Sequence, residues 1–335
     1  MEILKNVHAK NIVEWAKDKP NTFLLSADLT SSVEAHLFRD AYPDRFLSMG
    51  IAEQNMLAFA GGMAREGLIP LVHTFAVFIY RRAYDQISMS VAYPNLPVKM
   101  FGFLPGVMTP GGATHQAIED ISVMRSLPNM TILECGDATD VESCLDVAYS
   151  VNGPVYVRVL RGEIPRLFSK DDPMVLGKIR TLNEGDDLVL LTSGICTEEG
   201  MRAVSAMEDH GIHIQHYHVS TLKPFDHPEI VEKINKSRYG CIVLENHSVI
   251  GGLGTIIAEQ MAKYGCCKKL YKMGLDDVFV HGASYRYLMR ENKIDAMALV
   301  EKIESIVGKS FDIREEDLAE TYTPAILSDA KPEAL

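Results

Sequence analysis

LIPLVHTFAVFIYRRAYDQISMSVAYPNLPVKMFGF, residues 68–103, reads as a strand, a helix and a second strand in direct succession. Residues 68–75 are a short apolar run rich in aromatic and β-branched side chains, too short for a helix that must bury a face. Residues 79–93 have helix length and an amphipathic pattern, and 96–103 form a second apolar run opened by Pro97. Two strands joined through a helix lie parallel in one sheet. Working outward, TFLLSA (22–27) predicts an earlier strand leaving through the turn Asp28-Leu29-Thr30-Ser31-Ser32, and AEQNMLAFAGGMARE (52–66) a helix entered from Met49-Gly50. VMTPGGATHQ (107–116) is a glycine-rich loop, followed by a short helix over 117–126, a strand MTILEC (130–135), a helix from Ala138 and a strand PVYVRVL (154–160). The fold class is α/β with a parallel sheet. Ligands gather at the carboxyl ends of such strands, which singles out the loops 28–32, 48–55 and 103–116.

At 335 residues the chain exceeds one ordinary core. Residues 162–183 combine two prolines, mixed charge and broken periodicity, and a second αβ pattern restarts at DLVLLTSG (187–194). The expected division is 1–167, a linker at 168–183, a smaller α/β domain at 184–308 and an acidic tail at 309–335. With a net charge of −12, the chain is not expected to bind nucleic acid. No stretch predicts a secretory leader or a membrane span, and the six cysteines lack metal-binding spacing. A cytoplasmic protein with reduced thiols and no metal site of its own is the expectation. Glu245-Asn246-His247 and Gly251-Gly252-Leu253-Gly254 have the context of a dinucleotide turn without its glycine spacing.

Met49-Gly50-Ile51-Ala52-Glu53-Gln54-Asn55-Met56 resembles the G-I-x-E-x-x-M segment of transketolases and of their deoxyxylulose-phosphate synthase relatives. Ser26-Ala27-Asp28-Leu29-Thr30, Thr74-Phe75-Ala76-Val77-Phe78, Gly112-Ala113-Thr114-His115-Gln116 with Glu119-Asp120, Met124–Met130 and Pro154–Arg158 continue the resemblance in order, from about residue 5 to 308. It implies a thiamine-diphosphate-binding pyrimidine domain followed by a transketolase C-terminal domain. In that family the thiazolium carbon is deprotonated by the cofactor's own amino group, once a carboxyl engages ring N1′.

Glu53 matches the carboxyl, expected in a mostly apolar pocket; the bland alternative is a first-turn glutamate favoured by the helix dipole. Ile51 is expected beside the cofactor. Phe75 and Phe78 match the aromatics packed on the aminopyrimidine, against a plain core role. His115 matches a histidine near the reacting carbon, a proton shuttle or polar clamp that also meets substrate. Ser32 and Arg161 match positions that contact the sugar phosphate, against an exposed salt bridge.

The family's Gly-Asp-Gly segment, which holds the diphosphate through Mg2+ or Ca2+, does not occur in the sequence. The resemblance therefore implies a separate N-terminal transketolase subunit carrying diphosphate and metal, in an α2β2 heterotetramer with a shared active site. Other positions depart from the family: Phe103 stands for a histidine, Pro110-Gly111 for Glu-Asp, Arg81 near a tyrosine, and Lys5 or Asn6 for an arginine. These changes predict ketol transfer on an atypical sugar phosphate, branched, deoxy or carrying another anion, with Arg81-Arg82 as a replacement anion site or a solvated helix face. The alternatives are a deoxyxylulose-phosphate-synthase-like activity, a 2-oxo acid dehydrogenase β subunit, and a non-catalytic assembly subunit.

Overall fold

The computed structural model describes residues 2–318. Its strands in chain order are β1 (Ile3–Lys5), β2 (Thr22–Ser26), β3 (Phe46–Ser48), β4 (Ile69–Phe75), β5 (Lys99–Phe103), β6 (Thr131–Glu134), β7 (Val155–Val159), β8 (Glu163–Pro165), β9 (Ile179–Asn183), β10 (Leu188–Thr192), β11 (Ile214–Val219), β12 (Thr221–Lys223), β13 (Cys241–Ser248) and β14 (Leu270–Leu275). The larger sheet has the order β12-β6-β7-β5-β4-β2-β3 and the smaller β14-β13-β10-β11-β9; β1 and β8 form a short antiparallel ribbon. Pairing is parallel throughout both sheets except at two edges, where β12 runs against β6 and β9 against β11. Strands β5, β6, β7 and β10 are buried at every position. That is why they read as mostly apolar runs, broken by Lys99, Glu134 and Arg158, rather than as alternating ones.

Helices pack in two groups on the larger sheet's domain. Val7–Trp15 meets His36–Ala41 and Ala138–Ser150, while Glu53–Arg65 meets Ala76–Gln86, which in turn touches Asp120–Arg125. No helix among the described residues is long and apolar enough to cross a membrane. All six cysteines are free thiols.

The two domains exchange structure. Residues 168–183, expected as a linker, contain β9, and Arg180 of that strand donates to Asp140 of the first domain at 2.7 Å. Strand β12 belongs by sequence to the span 184–308 yet completes the first domain's sheet. Of the tail expected at 309–335, residues up to 318 are described, and Glu315 anchors them to Arg202 and Arg290 at 3.1 and 3.2 Å. The remainder lies outside the described residues. At the turn 251–254, Glu245 accepts from the backbone N–H groups of Leu253 and Gly254 at 2.6 and 2.9 Å. A side chain thus fills the helix start that a nucleotide phosphate would need, and burial pushes that carboxyl up to about 7.

Between the domains lies a fully buried ion cluster. Arg158 of β7 donates to Asp120 at 2.9 Å and to Glu134, and also to the backbone oxygen of Asn246 in β13 at 3.0 Å. Tyr156 adds a bond to Asp120 at 2.7 Å. Removing one member of such a cluster strands the others as uncompensated buried charges, at a cost of roughly 3–5 kcal/mol. Arg158→Met is therefore expected to lose stability on that order. Urea unfolding measures it; a loss below about 1 kcal/mol would show that the cluster does not hold the domains together.

Candidate active site

Because β2, β4 and β5 run parallel, their carboxyl ends open on one side of the sheet. The loops after them therefore converge there. Glu53 opens the helix Glu53–Arg65, with its side chain 3% exposed. Phe75 ends β4, and Phe78 lies in the first turn of the helix Ala76–Gln86. Their rings stack with centroids 5.8 Å apart and planes 25° apart. His115 meets Phe78 edge-on at 5.4 Å and shares a hydrogen bond of 2.8 Å with Thr114 through Nδ1. On the opposite flank the Arg161 guanidinium lies 5.8 Å from the Phe75 ring and donates to the Ser32 backbone oxygen at 2.6 Å. Burial pulls the Arg161 pKa down, against the opposing pull of nearby Glu34.

Phe75, Phe78, His115, Arg161 and the Ser32 backbone, spread over about 130 residues of sequence, thus form one chain of contacts, which Glu53 joins through Arg82. Ile51 stands 73% exposed on the loop leading to Glu53. The expectation of an apolar pocket around Glu53 needs correction. Arg82 Nη1 donates to Glu53 Oε1 at 2.6 Å, and its guanidinium carbon sits 3.9 Å from the Phe78 centroid. Arg81 points elsewhere, with two bonds to Glu119 at 2.7 and 2.8 Å and one to the Ala113 oxygen at 2.7 Å. Burial alone would raise the Glu119 pKa; the Arg81 guanidinium outweighs it and holds the carboxyl below its ordinary value. Neither arginine is an open anion site. Phe103 is wholly buried against His8 and His73, at 5.3 and 5.7 Å between ring centroids, so it adds no polar group to the cluster.

A contribution from the second domain went unseen in the sequence. Gln116 Nε2 donates to the His281 oxygen at 3.3 Å, and Gly282 approaches the 110–112 segment so closely that a Cβ on it would come 2.6 Å from the Pro110 oxygen. Gly112, with φ of +70°, turns the loop at that contact. The one signal available was the high glycine content of 111–112, with nothing to mark its distant partner.

The transketolase pyrimidine-binding domain model matches residues 4–166, and the transketolase C-terminal domain model matches 177–296. A 6-deoxy-6-sulfo-D-fructose transketolase subunit of Clostridium sp. strain MSTE9 is 35% identical over 89% of this chain and 92% of its own length. An apulose-4-phosphate transketolase subunit from Actinobacillus succinogenes is 30% identical over 90% of this chain and 97% of its own. A split-gene transketolase solved as an inactive β4 tetramer superposes with a TM-score of 0.83 at 35% identity, over 90% of this chain and 97% of that one. The chain belongs to the transketolase family. It is a transferase subunit of that family, built on two α/β domains.

The cluster offers groups that could hold a flat nitrogenous ring. There is a buried carboxyl at a helix start, a stacked aromatic pair and an imidazole on the ring edge. Among the described residues no group of three or more His, Cys, Asp or Glu side chains is arranged for a metal ion. The His115 loop is held by Arg81 through Ala113 and Glu119, so Arg81→Ala should loosen it. Hydrogen exchange at the amides of His115 and Gln116, both bonded to the Gly112 oxygen, is expected to speed up roughly tenfold, the equivalent of about 1.4 kcal/mol of local stability. Unchanged exchange would mean that the loop is held from the second domain alone.

Proposed function

We propose that the chain is the pyrimidine-binding subunit of a two-subunit transketolase. Thiamine diphosphate, with Mg2+ or Ca2+, would sit between it and a separate diphosphate-binding subunit in an α2β2 assembly. The observation that carries this is the convergence of Glu53, Phe75, Phe78 and His115 at the carboxyl ends of parallel strands. When bound, the cofactor supplies the nucleophilic carbon that carries a two-carbon ketol unit from one sugar to another. The protein's part is to bind and orient. Phe75 and Phe78 offer a dry stacking surface, Glu53 holds the proton at ring N1′, and His115 serves as acid or base beside the reacting centre.

Arg161, held beside Ser32, is suited to the acceptor's anionic end. The sugar is proposed to be atypical. The positions Phe103 and Pro110-Gly111 offer no side-chain donor where the family pattern has polar residues. A pocket that drops such groups changes which hydroxyls it can satisfy. The names of the two relatives above, one acting on a 6-deoxy-6-sulfo sugar, are in keeping with this.

The test is calorimetric titration of thiamine diphosphate with Mg2+ into the chain, first alone and then with a diphosphate-binding subunit captured from the native source. Binding is expected only in the mixture. Glu53→Gln is expected to cut ketol transfer by roughly 10²–10⁴. An assembled mixture that binds no cofactor would overturn the reading and leave a non-catalytic assembly subunit. Full rates on xylulose 5-phosphate with ribose 5-phosphate would overturn the atypical sugar alone.

A further inference from the structure

Arg82 satisfies, from within the chain, the two contacts that define the pyrimidine subsite. Residues 78 and 82 are one helical turn apart, so the Arg82 side chain is bound to lie along the Phe78 ring. Its guanidinium is flat, rich in N–H groups and 3.9 Å from the ring centroid. The same group reaches across to the neighbouring helix and donates to Glu53 at 2.6 Å. A planar nitrogenous group stacked on Phe78 with its edge on the Glu53 carboxyl is also a description of a bound aminopyrimidine.

The two partners differ in freedom. The Glu53 side chain is 3% exposed and sits at a helix start, whereas that of Arg82 is 43% exposed. Only the arginine has a way out to solvent. The backbone around it is also irregular: Ala83 departs from helical geometry at φ −124° and ψ 22°, and residues Ile87–Ala92 continue as a π-helix. Such irregular turns recur at functional sites.

Resting on the cofactor reading above, we propose that Arg82 is a self-ligand of the pyrimidine subsite. In the isolated chain its guanidinium neutralises Glu53 and covers Phe78. When thiamine diphosphate enters with the partner subunit, Arg82 swings to solvent and ring N1′ takes over the Glu53 carboxyl. The exchange gives the buried carboxylate a partner both before and after assembly, which a buried charge requires.

Two measurements test this. In the isolated chain, Arg82→Met should lower the unfolding temperature, and adding Glu53→Gln should recover most of the loss, because the stranded charge is gone. In the assembled enzyme, Arg82→Met should bind thiamine diphosphate with Mg2+ more tightly and faster. The gain is roughly tenfold if the closed arrangement accounts for about nine-tenths of the free population. Unchanged or weaker binding by Arg82→Met would overturn the proposal and make Arg82 a fixed part of the site. Absence of thermal coupling between Arg82 and Glu53 would overturn it as well. Failure of the wild-type assembly to bind the cofactor would remove the cofactor reading and this proposal together, whereas a defect confined to the Arg82 comparison removes this one alone.

Discussion

The fully buried guanidinium of Arg158 fixes the relation of everything around the candidate site. It stands in β7, next to the central strand of the larger sheet, yet its bonds end on Asp120, on Glu134 in β6 and on the Asn246 backbone of the second domain. A single buried charge with two carboxylate partners must keep its geometry, since displacement leaves a charge unpaired in the interior. Asp120 follows directly on Glu119, the residue that Arg81 grips together with the Ala113 oxygen. The loop that carries His115 is consequently strung between two arginine anchors, one buried and one half-buried. The sheet supplies the direction of the site, and these two arginines supply its position.

The central strands β2, β4, β5, β6, β7 and β10 were legible because a parallel sheet covered on both sides demands nearly unbroken apolar runs; the edge strands β3 and β14 were not read. The connection between the domains was not legible in the same way. Strand β12 is only three residues, Thr221–Lys223, too short to carry a periodicity, and its sheet is chosen by tertiary pairing with β6. Strand β9 mixes exposed and buried positions at a sheet edge, so charge and nearby prolines made 168–183 look like a linker. At the site, the membership of Glu53, Phe75, Phe78, His115, Ser32 and Arg161 followed from a family pattern, and the structure draws them together. Ile51 matched the same pattern and stands exposed on the loop before Glu53. The Glu53–Arg82 contact had no local sign, since it joins two different helices across 29 positions.

That contact changes the electrostatic account of Glu53. A carboxyl buried at a helix start with no partner would protonate or draw in a counter-charge. The segment that offers Phe78 also offers, one turn on, the arginine that answers this demand. The apolar surroundings inferred from Ile51, Ala52 and Met56 are therefore only half of the environment: Met56 is buried and Ile51 is exposed, and the remaining side is a cation. A site arranged in this way presents a neutralised surface when empty and a carboxyl available to a ring nitrogen once the cation leaves.

Two of the departures from the family pattern, Phe103 and Pro110-Gly111, lie outside the elements that carry Glu53, Phe75 and Phe78. Phe103 is packed inward against His8 and His73, so its change is absorbed by the core beneath the site rather than by the site's own surface. Pro110 and Gly111 sit on the loop before His115, where the second domain approaches through Gly282. The stacked pair Phe75–Phe78 and the carboxyl of Glu53 come from β4 and from two helices of the first domain, none of which includes these positions. On the proposed reading, the positions assigned to the sugar and those assigned to the pyrimidine thus come from separable parts of the fold. The second domain reaches the 110–116 loop through Gly282 and through the His281 oxygen, which accepts from Gln116.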